Sequence, residues 1–187
     1  LRVISGRLKG KKILAPKGYD LRPTSDRVKE AIFDILQDSV RDKVVLDLFA
    51  GTGALGIEAL SRGAKRVVFV EATARSLAVL HRNIEACRLQ EESEVLALDV
   101  AAGIKALSRK GEAFDLIFLD PPYGKGLARM TVRALSGGEV LAPGARIVAE
   151  HSPAEDLDSV PLERVDRRKY GSTLISFFIN PEKKNQH

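Results

Sequence analysis

Asp120-Pro121-Pro122-Tyr123 places a carboxylate, two prolines and an aromatic ring directly after the apolar run Leu116-Ile117-Phe118-Leu119. Neither proline has an N–H to give, so a strand stops here and the turn is stiff, with carbonyls free to accept. Acceptors beside a ring suit the planar amino group of a nucleobase. The Asp120 carboxylate and the Pro121 carbonyl can take its two N–H bonds, orient the nitrogen and favour localisation of its lone pair. Tyr123 then stacks on the base, which must leave its own stack to arrive. The catalytic candidates are therefore Asp120, Pro121, Pro122 and Tyr123. The chemistry they predict is amino-group methylation by direct in-line displacement, provided a methyl donor binds nearby. Asp120 is a candidate acceptor for the released proton, and loss to water is equally consistent. Holding the reactants in line supplies most of the acceleration.

The donor site is sought upstream, in Asp47-Leu48-Phe49-Ala50-Gly51-Thr52-Gly53-Ala54-Leu55-Gly56. Gly51, Gly53 and Gly56 satisfy G-x-G-x-x-G between a predicted strand and a predicted helix, and Glu71 lies 20 residues beyond Gly51. This is also the dinucleotide fingerprint, so a nicotinamide oxidoreductase is the rival from another class. Asp47 weighs against it, because an acid at the turn repels two phosphates. S-adenosylmethionine has no phosphate, and its sulfonium and ammonium are both positive. No Gly-Lys-Ser/Thr follows, so the turn is not a P-loop. Glu71 is expected to accept both ribose hydroxyls. Asp99 ends a third strand and can accept from an adenine amine beside Val100; a helix N-cap is the alternative. Phe49, Ala72 and Asp120 complete the candidate contacts along these strand ends.

Strand–helix alternation positions these residues. Predicted strands cover Val44–Phe49, Arg66–Glu71, Glu94–Leu98, Leu116–Leu119 and Ala145–Glu150. Predicted helices lie around Leu55–Ser61, Ala74–Cys87, Ala101–Ser108 and Leu127–Leu135. The pattern implies an α/β fold: a doubly wound, mostly parallel, seven-stranded Rossmann-like sheet, closed by an antiparallel hairpin from Leu162–Arg168 and Thr173–Ile179. Its first and fourth strands meet at the topological switch point, which brings Gly51–Gly53 to face Asp120–Tyr123. Residues 1–22 read as a basic arm or hairpin, 23–180 as the catalytic domain and 181–187 as a frayed tail. Thr24 or Ser25 is expected to cap a helix over Asp26–Asp38.

Composition bounds the partners. The 187 residues carry a net charge of +5, and the sequence pI is about 9.4. Arg2, Arg7, Lys9, Lys11, Lys12 and Lys17 crowd residues 1–17 with no acid. A polyanionic partner and a solvated, solubilising end fit that cluster equally. No apolar run approaches a membrane span and no signal peptide opens the chain. The single cysteine, Cys87, excludes an internal disulfide framework and fits a reducing cytosol, hence a cytoplasmic location. His81, His151 and His187 are too widely spaced for a zinc site, so no metal is expected.

The order and spacing of the glycine turn, Glu71, Asp99 and Asp120–Tyr123 resemble a class I S-adenosylmethionine-dependent methyltransferase acting on an amino nitrogen. Arg22-Pro23-Thr24-Ser25-Asp26-Arg27-Val28-Lys29-Glu30-Ala31-Ile32-Phe33 narrows this, as does Ile4-Ser5-Gly6-Arg7-Leu8-Lys9-Gly10. Together they closely resemble the bacterial 16S ribosomal RNA guanine-N2 methyltransferase family. The likeness runs across nearly the whole chain, including Leu55–Gly63 and Tyr170-Gly171-Ser172-Thr173.

The resemblance implies monomethylation of a loop guanine at N2 in the small ribosomal subunit or an assembly intermediate, by a monomer. It implies that Arg22, Pro23 and Thr24 help close the cofactor pocket. It further implies that the arm, through Arg2, Arg7, Lys9, Lys11 and Lys12, touches RNA. The family accepts Phe or Tyr at position 123, so the hydroxyl is expected to be dispensable. The chain starts at Leu1 where Met is expected, so its start is expected to be altered or trimmed. Lys125 and Arg129 are candidates for substrate phosphate, and Arg164, Arg167, Arg168 and Lys169 for extending the basic face. Edge-strand charges of this kind also block aggregation. Within the class the nearest alternative is an adenine-N6 methyltransferase on DNA or RNA, for which a target-recognition domain is expected. A protein glutamine methyltransferase is expected to carry Asn in place of Asp120. A non-catalytic RNA-binding module leaves both strand-end motifs without an account.

Overall fold

The computed structural model describes residues 1–16 and 23–181, with side chains of the first helix described from Asp26 onward. Lys17 and Arg22, and the side chains of Pro23, Thr24 and Ser25, lie outside the described residues.

Helix α1 (Pro23–Leu36) leads through a single 3-10 turn into β1 (Val44–Leu48). There follow α2 (Ala54–Ser61), β2 (Arg66–Val70), α3 (Ala74–Cys87), β3 (Ser93–Leu96), α4 (Val100–Arg109) and β4 (Phe114–Leu119). The chain closes with α5 (Leu127–Ser136), β5 (Leu141–His151), β6 (Glu163–Tyr170) and β7 (Thr173–Ile179). One seven-stranded sheet has the order β3-β2-β1-β4-β5-β7-β6. The first five strands in the chain are parallel, and β7 pairs antiparallel with both β5 and β6. Strand order reverses at β1, with β2 on one side and β4 on the other, so the switch-point crevice opens at their carboxyl ends.

Two boundaries differ most from the sequence pattern. Helix α1 begins at Pro23, upstream of the expected cap, with Pro at the first helical position where its missing N–H costs nothing. Strand β5 begins at Leu141 rather than Ala145 because it crosses Pro143. The ladder shifts register between Phe114 and Leu116, and Asn180 takes up the slack. Its amide donates to the Ala142 carbonyl (3.0 Å) and its carbonyl accepts from the Gly144 N–H (3.0 Å).

Helices cover both faces. On one, α1, α2 and α3 bury Phe33, Ile57, Leu60, Leu80 and Ile84 against Val45, Phe69, Phe118 and Val148. Phe33 meets Phe118 with ring centroids 5.6 Å apart. On the other, Ile104, Leu107, Val132 and Leu135 of α4 and α5 pack on Leu46, Val68, Ile117 and Ile147.

The N-terminal arm folds back on itself and is fastened to this core. Arg2 bridges Lys12, and Val3 and Ile13 are buried among α1–α3. Glu58 of α2 is wholly buried and accepts from the backbone N–H groups of Ile4 (2.8 Å) and Ser5 (3.0 Å). The same carboxylate pairs with Arg62 (2.9 Å) and with the buried Lys29 ammonium (3.3 Å), which also donates to the Arg2 carbonyl. Gly6 has φ +81°, and a Cβ there would lie 1.9 Å from the Ser61 carbonyl oxygen. Only glycine lets the arm approach α2 this closely.

Candidate active site

Register fixes which groups share the crevice. Leu48 of β1 lies opposite Val70 of β2 and Leu119 of β4. The next residues, Phe49, Glu71 and Asp120, therefore leave adjacent strand ends together. Phe49 takes a left-handed φ of +59°, rare for a bulky residue, and opens the turn that Gly51 and Gly53 complete. Such backbone strain persists only where surroundings over-determine it, and it clusters at ligand sites.

Glu71 determines the shape of that turn. One carboxylate oxygen accepts from the Gly51 N–H (2.9 Å) and the other from the Thr73 N–H (2.8 Å). Each oxygen keeps further acceptor capacity, so the side chain can hold the turn and still receive hydroxyls of a ligand. Asn83 of α3, which the sequence reading passed over, holds the turn from below. Its amide donates to the Thr52 carbonyl (2.9 Å) and to the Leu14 carbonyl (3.0 Å), while its oxygen accepts from the Leu14 N–H (2.8 Å). The arm and the glycine turn thus share one buried side chain.

Asp47 lies beneath the crevice, turned onto the start of α2. It is 2% exposed and accepts from the Gly56 N–H (2.9 Å) at the start of α2. Burial pushes its pKa up to about 8; the Gly56 bond pulls it down and the Glu71 charge pushes it up. At neutral pH the protonated form prevails, so Asp47 acts here as a neutral anchor for α2. The Gly56 position is equally tight: a Cβ there would lie 2.3 Å from the Phe69 ring.

Asp99 caps α4, accepting from the Ala102 N–H (2.9 Å), so the capping alternative is realised. Its neighbour Leu98 is 37% exposed, an apolar surface at the strand end that a planar ring would cover. Val100 is half-buried and Ala72 exposed on the same rim.

At the reacting end, Pro121 is buried while Asp120, Pro122 and Tyr123 are exposed. The Tyr123 hydroxyl donates to the Glu150 carboxylate (3.1 Å) and lies 2.7 Å from the Thr173 hydroxyl. Burial pushes the phenol up to about 12; the Thr173 bond lowers it and the Glu150 charge raises it. Tyr123 therefore remains a neutral donor, and its hydroxyl is a tether for the ring rather than an idle group. Asp120 has a pKa well above the ordinary carboxylate value, pushed by the surrounding protein, then by Glu150, then by Asp47. Water reaches Asp120, so the Glu150 charge beside it is the firmer cause.

Arg2, Arg7, Lys9, Lys11 and Lys12 are all exposed along the arm, with Arg7 paired to Glu92. Lys125 and Arg129 are exposed in and after the Asp120–Tyr123 loop. On β6, Arg164 and Arg167 pair with Asp158 and Arg168 with Asp166. His151 is turned into the core, Nε2 against the Ser176 hydroxyl (2.9 Å), and burial lowers its pKa. Among the described residues no group of three His, Cys, Asp or Glu side chains is placed to hold a metal, and no helix is long and apolar enough to cross a membrane.

Comparison with known proteins follows the same lines. The chain is 34% identical to ribosomal RNA small subunit methyltransferase D of Escherichia coli K12, over 86% of this chain and 79% of that one. Its fold matches the E. coli protein yhhF with a TM-score of 0.87 at 30% identity, covering 98% and 99% of the two chains. It also matches a T. thermophilus 16S rRNA N2 G1207 methyltransferase, solved in complex with AdoMet and guanosine, with a TM-score of 0.69 at 26% identity, over 88% of this chain and 44% of that one. A family model matches residues 1–179. The chain belongs to the family described as Conserved hypothetical protein 95, and the sequence resemblance to small-subunit rRNA methyltransferases is matched by the name of its E. coli relative.

Proposed function

We propose that this protein is an S-adenosylmethionine-dependent methyltransferase of 16S ribosomal RNA, acting on the exocyclic N2 amine of a guanine. The observation that carries it is the juxtaposition, in register, of the Glu71-pinned glycine turn and Asp120-Pro121-Pro122-Tyr123 at one switch point. The residues present fit the cofactor. Glu71 retains acceptor capacity for ribose hydroxyls, the second Asp99 oxygen suits an adenine amine, and Leu98 offers an apolar wall. Phe49, Gly51, Gly53, Ala72 and Val100 are the further contacts proposed for it, with Asp47 bracing the turn from beneath; the family resemblance gives closure of the pocket to Arg22, Pro23 and Thr24.

Bound there, S-adenosylmethionine supplies an electrophilic methyl group. The chain's own residues do the rest. Asp120 and the Pro121 carbonyl receive the amine's N–H bonds and aim its lone pair. Tyr123 stacks on the flipped base. The relatives' activity on ribosomal RNA, together with the exposed cations of the arm and of Lys125 and Arg129, supports an RNA substrate over a nicotinamide reaction.

Asp120→Ala is expected to abolish methyl transfer to small-subunit RNA while calorimetry shows cofactor affinity within a few fold of wild type. Turnover at the wild-type rate in that variant would remove Asp120 from the chemistry.

A further inference from the structure

Strand alternation places three acids on one face of the sheet. Phe118 and Val148 point to the face covered by α1 and α2, and Leu119 and Ala149 point to the other. The next residues, Asp120 and Glu150, therefore return to the α1–α2 face, where Asp47 also lies against α2. Leu119 pairs with Ala149, so Asp120 and Glu150 leave neighbouring parallel strands side by side. Glu150 also receives the Tyr123 hydroxyl, which is bonded in turn to Thr173 at the start of β7. One carboxylate on β5 thus touches the ring on the reacting loop and borders the carboxyl expected to meet the amine.

We propose that Glu150 is a positioning residue for methyl transfer: it tethers the Tyr123 ring and, through its charge, strengthens Asp120 as the acceptor of the amine's proton. The proposal rests on the amine-methylation reading above. In that reaction the nitrogen lone pair forms the new N–C bond, and the C–S bonding pair stays on sulfur as a neutral thioether. The nitrogen then loses one proton to the Asp120 carboxylate, so one positive and one negative charge disappear together. A base flanked by like charges holds that proton more tightly once it has ionised. The groups acting on Asp120 are Glu150 on β5 and Asp47 on β1, and Asp120 in turn acts on Tyr123 of its own loop. Asp47 is engaged with the Gly56 N–H against α2, whereas Glu150 follows the Leu119–Ala149 pair directly beside Asp120.

The test is a 13C-carboxyl NMR titration of Asp120 in the full chain, assigned with Asp120→Asn, in wild type, Glu150→Gln and Glu150→Ala. Gln keeps an acceptor for the Tyr123 hydroxyl and removes only the charge. The Asp120 midpoint is expected to fall by about one pH unit or more in both variants. The rising limb of the single-turnover pH–rate profile is expected to move down with it. Glu150→Ala and Tyr123→Phe, but not Glu150→Gln, are expected to raise the KM for RNA several-fold by freeing the ring. An unmoved Asp120 midpoint in Glu150→Gln overturns the electrostatic role. Wild-type KM in both Glu150→Ala and Tyr123→Phe overturns the tether. The titration needs no substrate, so it decides the role of Glu150 even if no RNA is methylated.

Discussion

Asp47→Asn is the substitution whose consequence follows most directly from the structure. Asn retains the oxygen that accepts from the Gly56 N–H and removes the ionisable group. In wild type the folded-state pKa is about 8 against an ordinary value of 3.8, a rise and not the fall usual for a paired aspartate. Between those two values the folded chain holds a proton that the unfolded chain has released. Stability is therefore fullest below the lower value and declines as pH rises towards the upper one. Each pH unit inside the window costs about 1.4 kcal/mol. From pH 5 to pH 7 wild type loses about 2.7 kcal/mol from this site, and Asp47→Asn loses none of it. The assay is urea unfolding of both ligand-free proteins at pH 5, 6 and 7. Other titrating groups cancel in the difference between the two proteins, as does any constant cost of the new amide. Parallel pH dependences would refute the buried, protonated Asp47 and restore an ionised acid beneath the crevice.

Three further outcomes are expected. Gly56→Ala forces α2 away from Phe69, because a Cβ would sit 2.3 Å from that ring and 2.9 Å from Val67. The overpacking cost of about 1–3 kcal/mol exceeds the roughly 1 kcal/mol gained in helix propensity, so the urea midpoint falls; an unchanged midpoint would contradict the close packing. Glu58→Ala leaves the buried Lys29 ammonium without its carboxylate and frees the Ile4 and Ser5 amides. A loss of about 3–5 kcal/mol is expected, with those two amides exchanging faster; unaltered exchange would show that Glu58 does not hold the arm. Reversing the charges of Lys9, Lys11 and Lys12 is expected to weaken RNA binding and reduce its log–log salt slope by roughly one per lost phosphate contact, and an unchanged slope would take the arm off the RNA.

Much of this fold can be read from the chain because its signals are local. Apolar runs such as Val44–Leu48 and Leu116–Leu119 mark central parallel strands, buried on both faces. Gly51, Gly53 and Gly56 mark the turn between β1 and α2, and Pro121-Pro122 marks the end of β4. What escaped reading depends on long-range burial. Asp47 is recognisable as an acid after a strand, but whether it is charged depends on the packing of α2 above it. Asn83 falls within the apolar stripe Leu80-Ile84-Cys87, where a polar residue is a signal in itself, yet its partners lie 69 and 31 residues away. Glu58 interrupts an apolar helix, and only the arm returning over α2 explains it. Glu150 looks like an ordinary strand-end acid until the register between β4 and β5 sets it beside Asp120. The early start of β5 was hidden by Pro143, which reads as a turn and sits instead at an irregularity of the ladder.

The central claim is that the crevice between the glycine turn and Asp120–Tyr123 transfers a methyl group to a guanine N2 in small-subunit RNA. Small-subunit particles from a strain lacking the activity, incubated with the protein and S-adenosylmethionine tritiated in its methyl group, test it most directly. Nucleoside analysis is predicted to place the label in N2-methylguanosine, and to find none when Asp120→Ala replaces wild type. Label in N6-methyladenosine, or RNA left unlabelled by the wild-type protein, would contradict the account.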